Sequence, residues 1–521
     1  MGRSLALALI LLCLAISDGA RILGYFPVPG TSHMLVFSAL TRALAERGHE
    51  LVVVSTYPLK DPPSNYTDIS IAESMEEYLK AFTDVNLYDY ADEYIITVPF
   101  AYWLEAKNIT ELSLRNSDVQ KLLKDERGFD LVIVEDFMCD STFALGHHFK
   151  APIVLISSMG GFQWSNEAVG NPITTSYVAN SVLPFTSKMN FWERLVNTAF
   201  KIYWDIGSEI FYFPSQESLK KEIFGPNVPH VKDLRRTASL VLTNNHYAFN
   251  QPRPLVPNFV EVGGMHVKPP SKPLPKDIKE WLDGGKDGVI YFSMGSNLQG
   301  KLFPEEKRKA LVQAFAELPQ RILWKWESES IPEQPKNVKV ASWMPQQEIL
   351  AHPNVKVFIT HGGLLSAQEA MYHGVPLIGI PVFGDQKLNV NRAAMSGYAL
   401  RLDLKNITKE SVLWAVTTAL NDKSMLAEAQ KRSKIFHDQP EKPLDRAVYW
   451  VEYVLRHNGA HHLRSAALDL NCFQLALLDV YAFLLIIVAV FVSIPIITVK
   501  KLCCKKSSKS NLAVTGRKKK Q

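Results

Sequence analysis

Cysteine is scarce in this chain: Cys13, Cys139, Cys472, Cys503 and Cys504 are the five among 521 residues. Their spacing fits neither a metal-ligand set nor a disulfide framework, so a zinc-built or disulfide-stapled scaffold is excluded. Acidic residues are missing from Lys500–Gln521, which holds nine of the 57 lysines and arginines. The whole chain is net +5, so everything before that tail is net −4. A body of that sign is no nucleic-acid partner. Self-similarity at a fixed period is also missing. What is present is a globular composition, 47% hydrophobic and 21% charged, in a chain too long for one ordinary core. Two domains with additions are expected.

Two long apolar runs lie near the ends. Residues 1–19 carry Arg3, the run Leu5–Ile16 and then small residues, the pattern of a signal peptide cleaved after Gly19 with Ser17 at the −3 position. Val480–Val499 is 20 residues without a charge, enough to span a bilayer, with Pro495 near its end. Lys500, Lys501, Lys505 and Lys506 follow and mark the cytosolic side. The expected protein is single-pass type I, with a lumenal body and a basic cytosolic tail over 500–521. Cys503 and Cys504, beside the membrane, are open to palmitoylation or stay free thiols. Asn65, Asn108 and Asn406 head glycosylation sequons, in keeping with a lumenal body.

Between these ends the pattern alternates strand and helix. Arg21–Phe26 reads as a strand, His33–Arg47 as an amphipathic helix and Leu51–Thr56 as the next strand; Phe129–Glu135 and Pro152–Ser157 are further buried strands. This order implies a parallel, Rossmann-like sheet over 20–249. Seven prolines mark 250–276 as a linker. A second domain over 277–437 has strands at Val289–Ser293, Arg321–Trp326 and Asn337–Ser342. Residues 438–479 hold a helix near Asp445–Arg456 and an amphipathic stretch suited to a membrane surface.

Trp343–Gln386 is the most informative segment. The strand Val355–Thr360 runs into His361-Gly362-Gly363, then a helix from Leu364 to Tyr372, Gly374 as its stop, and a strand over Val375–Ile380. A glycine turn at a helix N-terminus can hold phosphate. Trp343 and Gln346 precede this unit, Ser366 and Glu369 lie within it, and Asp385-Gln386 follow it. An aromatic for a base, a carboxylate for a ribose diol and an Asp-Gln pair for sugar hydroxyls suit a nucleotide sugar.

The combination of Trp343-Met344-Pro345-Gln346, Thr360-His361-Gly362-Gly363, Glu369, His373-Gly374-Val375-Pro376 and Gly384-Asp385-Gln386 resembles the donor signature of the UDP-glycosyltransferases. The resemblance extends over nearly the whole chain. It is nearest the membrane-bound animal UDP-glucuronosyltransferase group, and His361-Gly362-Gly363-Leu364-Leu365-Ser366 looks like its insect branch. It implies an α/β fold of two facing Rossmann-like doubly wound domains (GT-B) with a C-terminal transmembrane helix. It implies transfer of a hexose, glucose or glucuronic acid, from a UDP-sugar to a hydroxyl of a small lipophilic acceptor, with inversion and in a detoxification or conjugation role. A catalytically silent, membrane-anchored binder of nucleotide sugars or lipophiles is the alternative. No prosthetic group and no metal are expected; Asp-x-Asp is absent from the donor segment. Endoplasmic-reticulum residence is implied by Lys518-Lys519-Lys520-Gln521, similar to a dilysine retrieval signal, and a homo-oligomer is left open.

His33 is the expected general base, since an imidazole titrates near working pH and the helix N-terminus disfavours its cation. Asp136, at the end of the strand Phe129–Glu135, is its expected carboxylate partner by the family's motif; Glu135 competes for that role. The resemblance assigns Trp343 to uracil, Gln346 to the uridine, Glu369 to ribose, and Asp385 and Gln386 to sugar hydroxyls. Ser293, Gly295 and Ser296 form a second phosphate turn beside His361, Gly362, Gly363 and Ser366. Arg253 matches an arginine proposed to meet a uronate. Leu365 and Lys325 stand where mammalian glucuronosyl enzymes have Asn and Arg, which tilts the expectation toward UDP-glucose. Residues of roughly 60–115 and 160–235, rich in aromatics, are expected to line the acceptor pocket.

Overall fold

The computed structural model describes residues 19–92, 95–269 and 272–516. Residues 1–18 of the leader read at 1–19, Pro270 of the linker and Lys518–Lys520 lie outside them. The chain divides into two compact units, Met1–Arg464 and Ser465–Gln521.

The first unit holds two parallel sheets. The first is built from β1 (Arg21–Phe26), β2 (Glu50–Ser55), β3 (Tyr66–Ser70), β4 (Leu131–Glu135), β5 (Ile153–Ser157), β6 (Leu240–Thr243) and β7 (Phe259–Glu261), in the order β3-β2-β1-β4-β5-β6-β7. The second contains β8 (Val289–Ser293), β9 (Arg321–Lys325), β10 (Val338–Ala341), β11 (Val355–Thr360), β12 (Leu377–Gly379) and β13 (Ala399–Arg401), in the order β10-β9-β8-β11-β12-β13. Both reverse strand order beside their first strand, and ligands of such sheets bind in the crevice at the carboxyl ends there. The relevant gaps are β1/β4 and β8/β11.

The central strands β1, β2, β4, β5, β6 and β8 are buried on both faces, which is why they read as continuous apolar runs. On β4, Leu131 and Ile133 pack with helix α1 (Thr31–Glu46), against Val36, Phe37 and Leu40. Val132 and Val134 face the other way, among Phe143, Leu145 and Leu155. This alternation decides the site below. Helix α2 (Pro443–Arg456) joins the α1 face through Ala447, Val448 and Val451, so a segment following the second domain covers the first sheet.

Three expectations change. Phe259–Glu261 lies within the expected linker but forms β7, because a short apolar run between the prolines finds a ladder on β6. The expected amphipathic stretch is three short turns, His461–Leu463, Ala466–Asp469 and Cys472–Leu475, rather than one helix; Leu477 at φ 54 ends the last of them. In the second unit, helix α3 (Leu478–Gly516) continues past the expected span into the lysines. Its portion Leu478–Leu502 is long and apolar enough to cross a membrane.

Candidate active site

The carboxyl ends of β1 and β4 face a cleft of about 320 Å³ whose other wall comes from the second sheet. His33, in the first turn of α1, reaches it from one side. Gly295, Ser296, His361, Gly363, Leu365, Ser366, Asp385 and Gln386 line it from the other. Two turns separated by hundreds of residues thus meet because each follows a strand at a switch point.

His33 does not pair with Asp136. Its Nδ1 lies 2.5 Å from Glu135 Oε1, and the Val28 N–H donates to Glu135 Oε2 at 3.1 Å. Glu135 is fully buried. The reason is strand parity: Glu135 shares the α1 face with Leu131 and Ile133, whereas Asp136 takes the opposite face. There Asp136 accepts from the Ser165 hydroxyl, and burial pushes its carboxyl up to about 7. Its neighbours are Asp140 and Arg235, themselves a buried ion pair at 2.5 Å. With the carboxylate of Glu135 accepting from Nδ1–H, Nε2 of His33 keeps its lone pair.

Across the cleft, His361 sits between two glycines. A Cβ on Gly295 would lie 2.5 Å from its Cε1 and one on Gly363 2.5 Å from its Nε2, so both positions exclude side chains. Gly295 also has φ +82, which favours glycine. Burial, with a smaller contribution from the charge of Lys325, pushes His361 down to about 4, so the ring is neutral and donates one N–H without carrying charge. Lys325 itself is bound to Glu327 at 2.9 Å. The helix Leu364–His373 begins at this turn and directs its free N–H groups there.

Asp385 and Gln386 begin the helix Gln386–Met395. Asn389 donates to Asp385 Oδ2 at 2.8 Å and to the Gly362 carbonyl at 3.1 Å, tying this helix to the glycine turn. Burial pushes Asp385 up, against the Asn389 hydrogen bond and the opposing influence of His33 across the cleft. Gln386 Oε1 accepts from the Val382 and Phe383 N–H groups at 2.8 and 3.1 Å.

Glu369 is buried one turn along from Ser366. Its two oxygens accept from Gln346 at 2.5 Å and from Gln347 at 3.0 Å, and Gln346 also donates to Ser366 Oγ at 3.0 Å and accepts from the Tyr291 hydroxyl at 3.2 Å. Burial pushes Glu369 up to about 7 against those amide donors. Trp343 is 72% exposed, a large free ring face next to this network in sequence. Ser293 is buried beneath the turn, where its hydroxyl accepts from the Gly295 N–H at 3.3 Å.

Arg253 is not among the cleft residues. It lies over the Phe259 ring at 5.0 Å and donates to the Gly161 carbonyl at 3.3 Å. The described cleft lining contains no lysine or arginine at all; its carboxylates are Asp385 and Glu105. The segment 60–115 supplies Tyr78, Leu79, Phe82, Tyr102, Glu105 and Ile109, as its aromatic content suggested. The segment 160–235 supplies none, because Trp164, Phe200, Trp204 and Tyr212 form a separate core with Trp103 behind the wall. Sequence reasoning missed Asn389 and Gln347, for which only their proximity to Gln386 and Gln346 was a signal. Among the described residues no three His, Cys, Asp or Glu side chains group as metal ligands.

A family model described as UDP-glucoronosyl and UDP-glucosyl transferase matches residues 25–517. The chain is 39% identical to UDP-glycosyltransferase UGT5 of Dactylopius coccus, over 91% of this chain and 90% of that protein. It is 38% identical to UDP-glucosyltransferase 2 of the same organism, over 96% of each. It is 34% identical to UDP-glucuronosyltransferase 2B7 of Homo sapiens, over 89% of this chain and 90% of that one. Among solved structures, the spinosyn forosaminyltransferase SpnP aligns over 84% of this chain and all of its own with a TM-score of 0.56 at 17% identity. CalG4, the calicheamicin glycosyltransferase, aligns over 84% of this chain and 98% of its own with a TM-score of 0.54 at 19% identity. At such identities these likenesses speak for the fold, two facing Rossmann-like domains of the GT-B type.

Proposed function

The chain belongs to the UDP-glucuronosyl and UDP-glucosyl transferase family, and from that premise we propose how its cleft carries out the transfer. It is a hexosyltransferase that uses a UDP-sugar donor. The contact between His33 and Glu135 carries our reading of the chemistry.

His33 Nε2 takes the proton of the acceptor hydroxyl. The acceptor oxygen bonds to the anomeric carbon as the bond from that carbon to the UDP oxygen breaks, and UDP leaves with the electron pair. Attack from the face opposite UDP inverts the configuration, and no covalent enzyme intermediate forms. Glu135, held by the Val28 N–H, keeps the proton on Nδ1 and stabilises the imidazolium as it forms. Gln346 and Glu369 engage the uridine and its ribose, with Trp343 stacking on the base. Gly295, Ser296, His361 and the N–H groups at the start of the helix Leu364–His373 stabilise the leaving diphosphate. Asp385 and Gln386 hold sugar hydroxyls.

The donor sugar is glucose on this reading. A uronate carboxylate needs a cation or amide donors. The described lining has no lysine or arginine, and Arg253 is elsewhere; its amides, Asn297 and Gln386, serve the hydroxyls of a neutral sugar as well. The apolar segment Leu478–Leu502 anchors the enzyme in the endoplasmic-reticulum membrane with its body lumenal, where Asn108 and Asn406 are exposed for glycosylation. Asn65 is less suited, because its side-chain nitrogen already donates to the Ala45 and His49 carbonyls at 2.7 and 2.8 Å.

Transfer of label from UDP-glucose to a panel of phenols and alcohols tests this proposal. His33→Ala is expected to abolish most turnover while UDP binding persists. Full turnover in that variant would remove the base role.

A further inference from the structure

The wall of the cleft on the side of the first sheet carries a carboxylate without a counter-ion among the described residues. Glu105 lies on the helix Val98–Leu114 and lines the same cavity as His33. No lysine, arginine or histidine among the described residues forms an ion pair with it. Its Oε2 is buried and accepts no hydrogen bond. The Tyr78 hydroxyl interacts with the carboxyl group, and burial together with that interaction pushes the Tyr78 hydroxyl upward. The rings of Tyr78, Phe82, Tyr102 and Phe137 line the same cavity.

A carboxylate oxygen removed from water and left unused is costly unless something pairs with it. Aromatic faces with a carboxylate among them make the recognition chemistry of an organic cation: the ring quadrupoles attract it and the carboxylate pairs with its N–H groups. The cleft opposes nothing to such a group, since its described lining has no lysine or arginine.

We infer that Glu105 selects hydroxylated amines, acceptors that present a phenol or alcohol to His33 and a protonated amino group to Glu105. This rests on the transferase reading above. The bonds made and broken are the same: the acceptor oxygen joins the anomeric carbon, UDP departs and the hydroxyl proton passes to His33. Glu105 touches only the far end of the acceptor and changes which acceptor is bound.

Full-length enzyme in microsomes is supplied with UDP-glucose and one of three phenols: tyramine, 4-ethylphenol or 3-(4-hydroxyphenyl)propionate. They share the reacting phenol and differ in a cationic, neutral or anionic end. The expected kcat/KM for tyramine exceeds that for neutral 4-ethylphenol by about tenfold or more, and the anionic acceptor is poorest. Glu105→Gln keeps the shape and removes the charge, so it lowers tyramine by about tenfold and 4-ethylphenol much less. Phenethylamine, which has no hydroxyl to glycosylate, is expected to inhibit transfer to 4-ethylphenol by the wild type more tightly than 2-phenylethanol does. This arm needs no folded variant. Equal use of tyramine and 4-ethylphenol, a preference untouched by Glu105→Gln, or equal inhibition by the amine and the alcohol overturns the inference and leaves the transferase reading standing. Failure to glycosylate any phenol with either UDP-glucose or UDP-glucuronate overturns both.

Discussion

Glu135→Gln and Asp136→Asn are isosteric changes at adjacent positions, and the fold assigns them opposite consequences. Glu135 accepts from His33 Nδ1–H at 2.5 Å and from the Val28 N–H at 3.1 Å. In Glu135→Gln the new amide oxygen still accepts from Val28, so the fold is kept. Its NH₂ group then faces His33 Nδ1 and favours the tautomer with the proton on Nε2, which no longer accepts from the acceptor hydroxyl. The imidazolium that forms during transfer also loses its counter-charge. A charge-assisted bond of this kind is worth about 1.5–3 kcal/mol, and general-base contributions are on the order of 10²–10⁴-fold. The kcat of Glu135→Gln should therefore fall by about 10²–10⁴, with donor KM within about twofold because ground-state donor contacts are untouched. Asp136→Asn behaves differently. Burial already pushes this carboxyl to about 7, and an amide oxygen accepts from the Ser165 hydroxyl as the acid does. Its turnover should stay within about threefold of wild type. Glu135→Asp, which keeps the charge at a shorter reach, should recover part of the loss. The assay is initial-rate glucosylation of 4-ethylphenol, with thermal melting as the fold control. A collapse of Asp136→Asn with Glu135→Gln near wild type, both folded, would refute the reasoning and restore Asp136 as partner.

Other consequences are open to measurement. The His33→Ala penalty should be larger for an aliphatic alcohol than for a phenol, whose pKa of ~10 makes its proton easier to lose; equal penalties would leave His33 a helix-end residue. Glu369, pushed to about 7 by burial, accepts ribose hydroxyls best when ionised, so donor KM should fall as pH rises through about 7 and become flat in Glu369→Gln. The linkage for stability runs the other way. The folded pKa is raised from 4.5, so this group's contribution is full below that value and is lost as pH rises through about 7, a loss that denaturation of Glu369→Gln should lack. Protease added to sealed microsomes should trim the tail beyond Leu502 and spare the body; digestion of the body would reverse the proposed orientation.

Much of this site could be read from local pattern. The central parallel strands are short apolar runs closed by turns; His361 follows its run directly, and His33 and Asp385 lie in the loops and helix starts just beyond theirs. Their meeting follows from one rule, that parallel sheets gather their loops at the carboxyl edge. The choice between Glu135 and Asp136 was legible in principle too, since α1 covers the face of Leu131 and Ile133 and parity then selects Glu135; motif matching pointed one residue away. Arg253 could not be excluded locally, because its orientation is set by the Phe259 ring and by the Gly161 carbonyl, a partner remote in sequence that only the assembled fold brings near. β7 was hidden by its length of three residues, where ladder bonding to β6 outweighs the surrounding prolines. The stretch 160–235 is absent from the described cleft lining because its aromatics build a core, and aromatic content marks a core as readily as a pocket.

The central claim is that this cleft transfers glucose from UDP-glucose to a hydroxyl with inversion. Microsomes containing the enzyme, given 4-ethylphenol and equimolar UDP-glucose and UDP-glucuronate, test it in one reaction analysed by mass spectrometry and by the anomeric coupling in NMR. The account predicts the β-glucoside of the phenol as the main product. A predominant glucuronide would contradict the reading of the cation-free cleft, and an α-linked product would contradict direct displacement by an acceptor activated at His33.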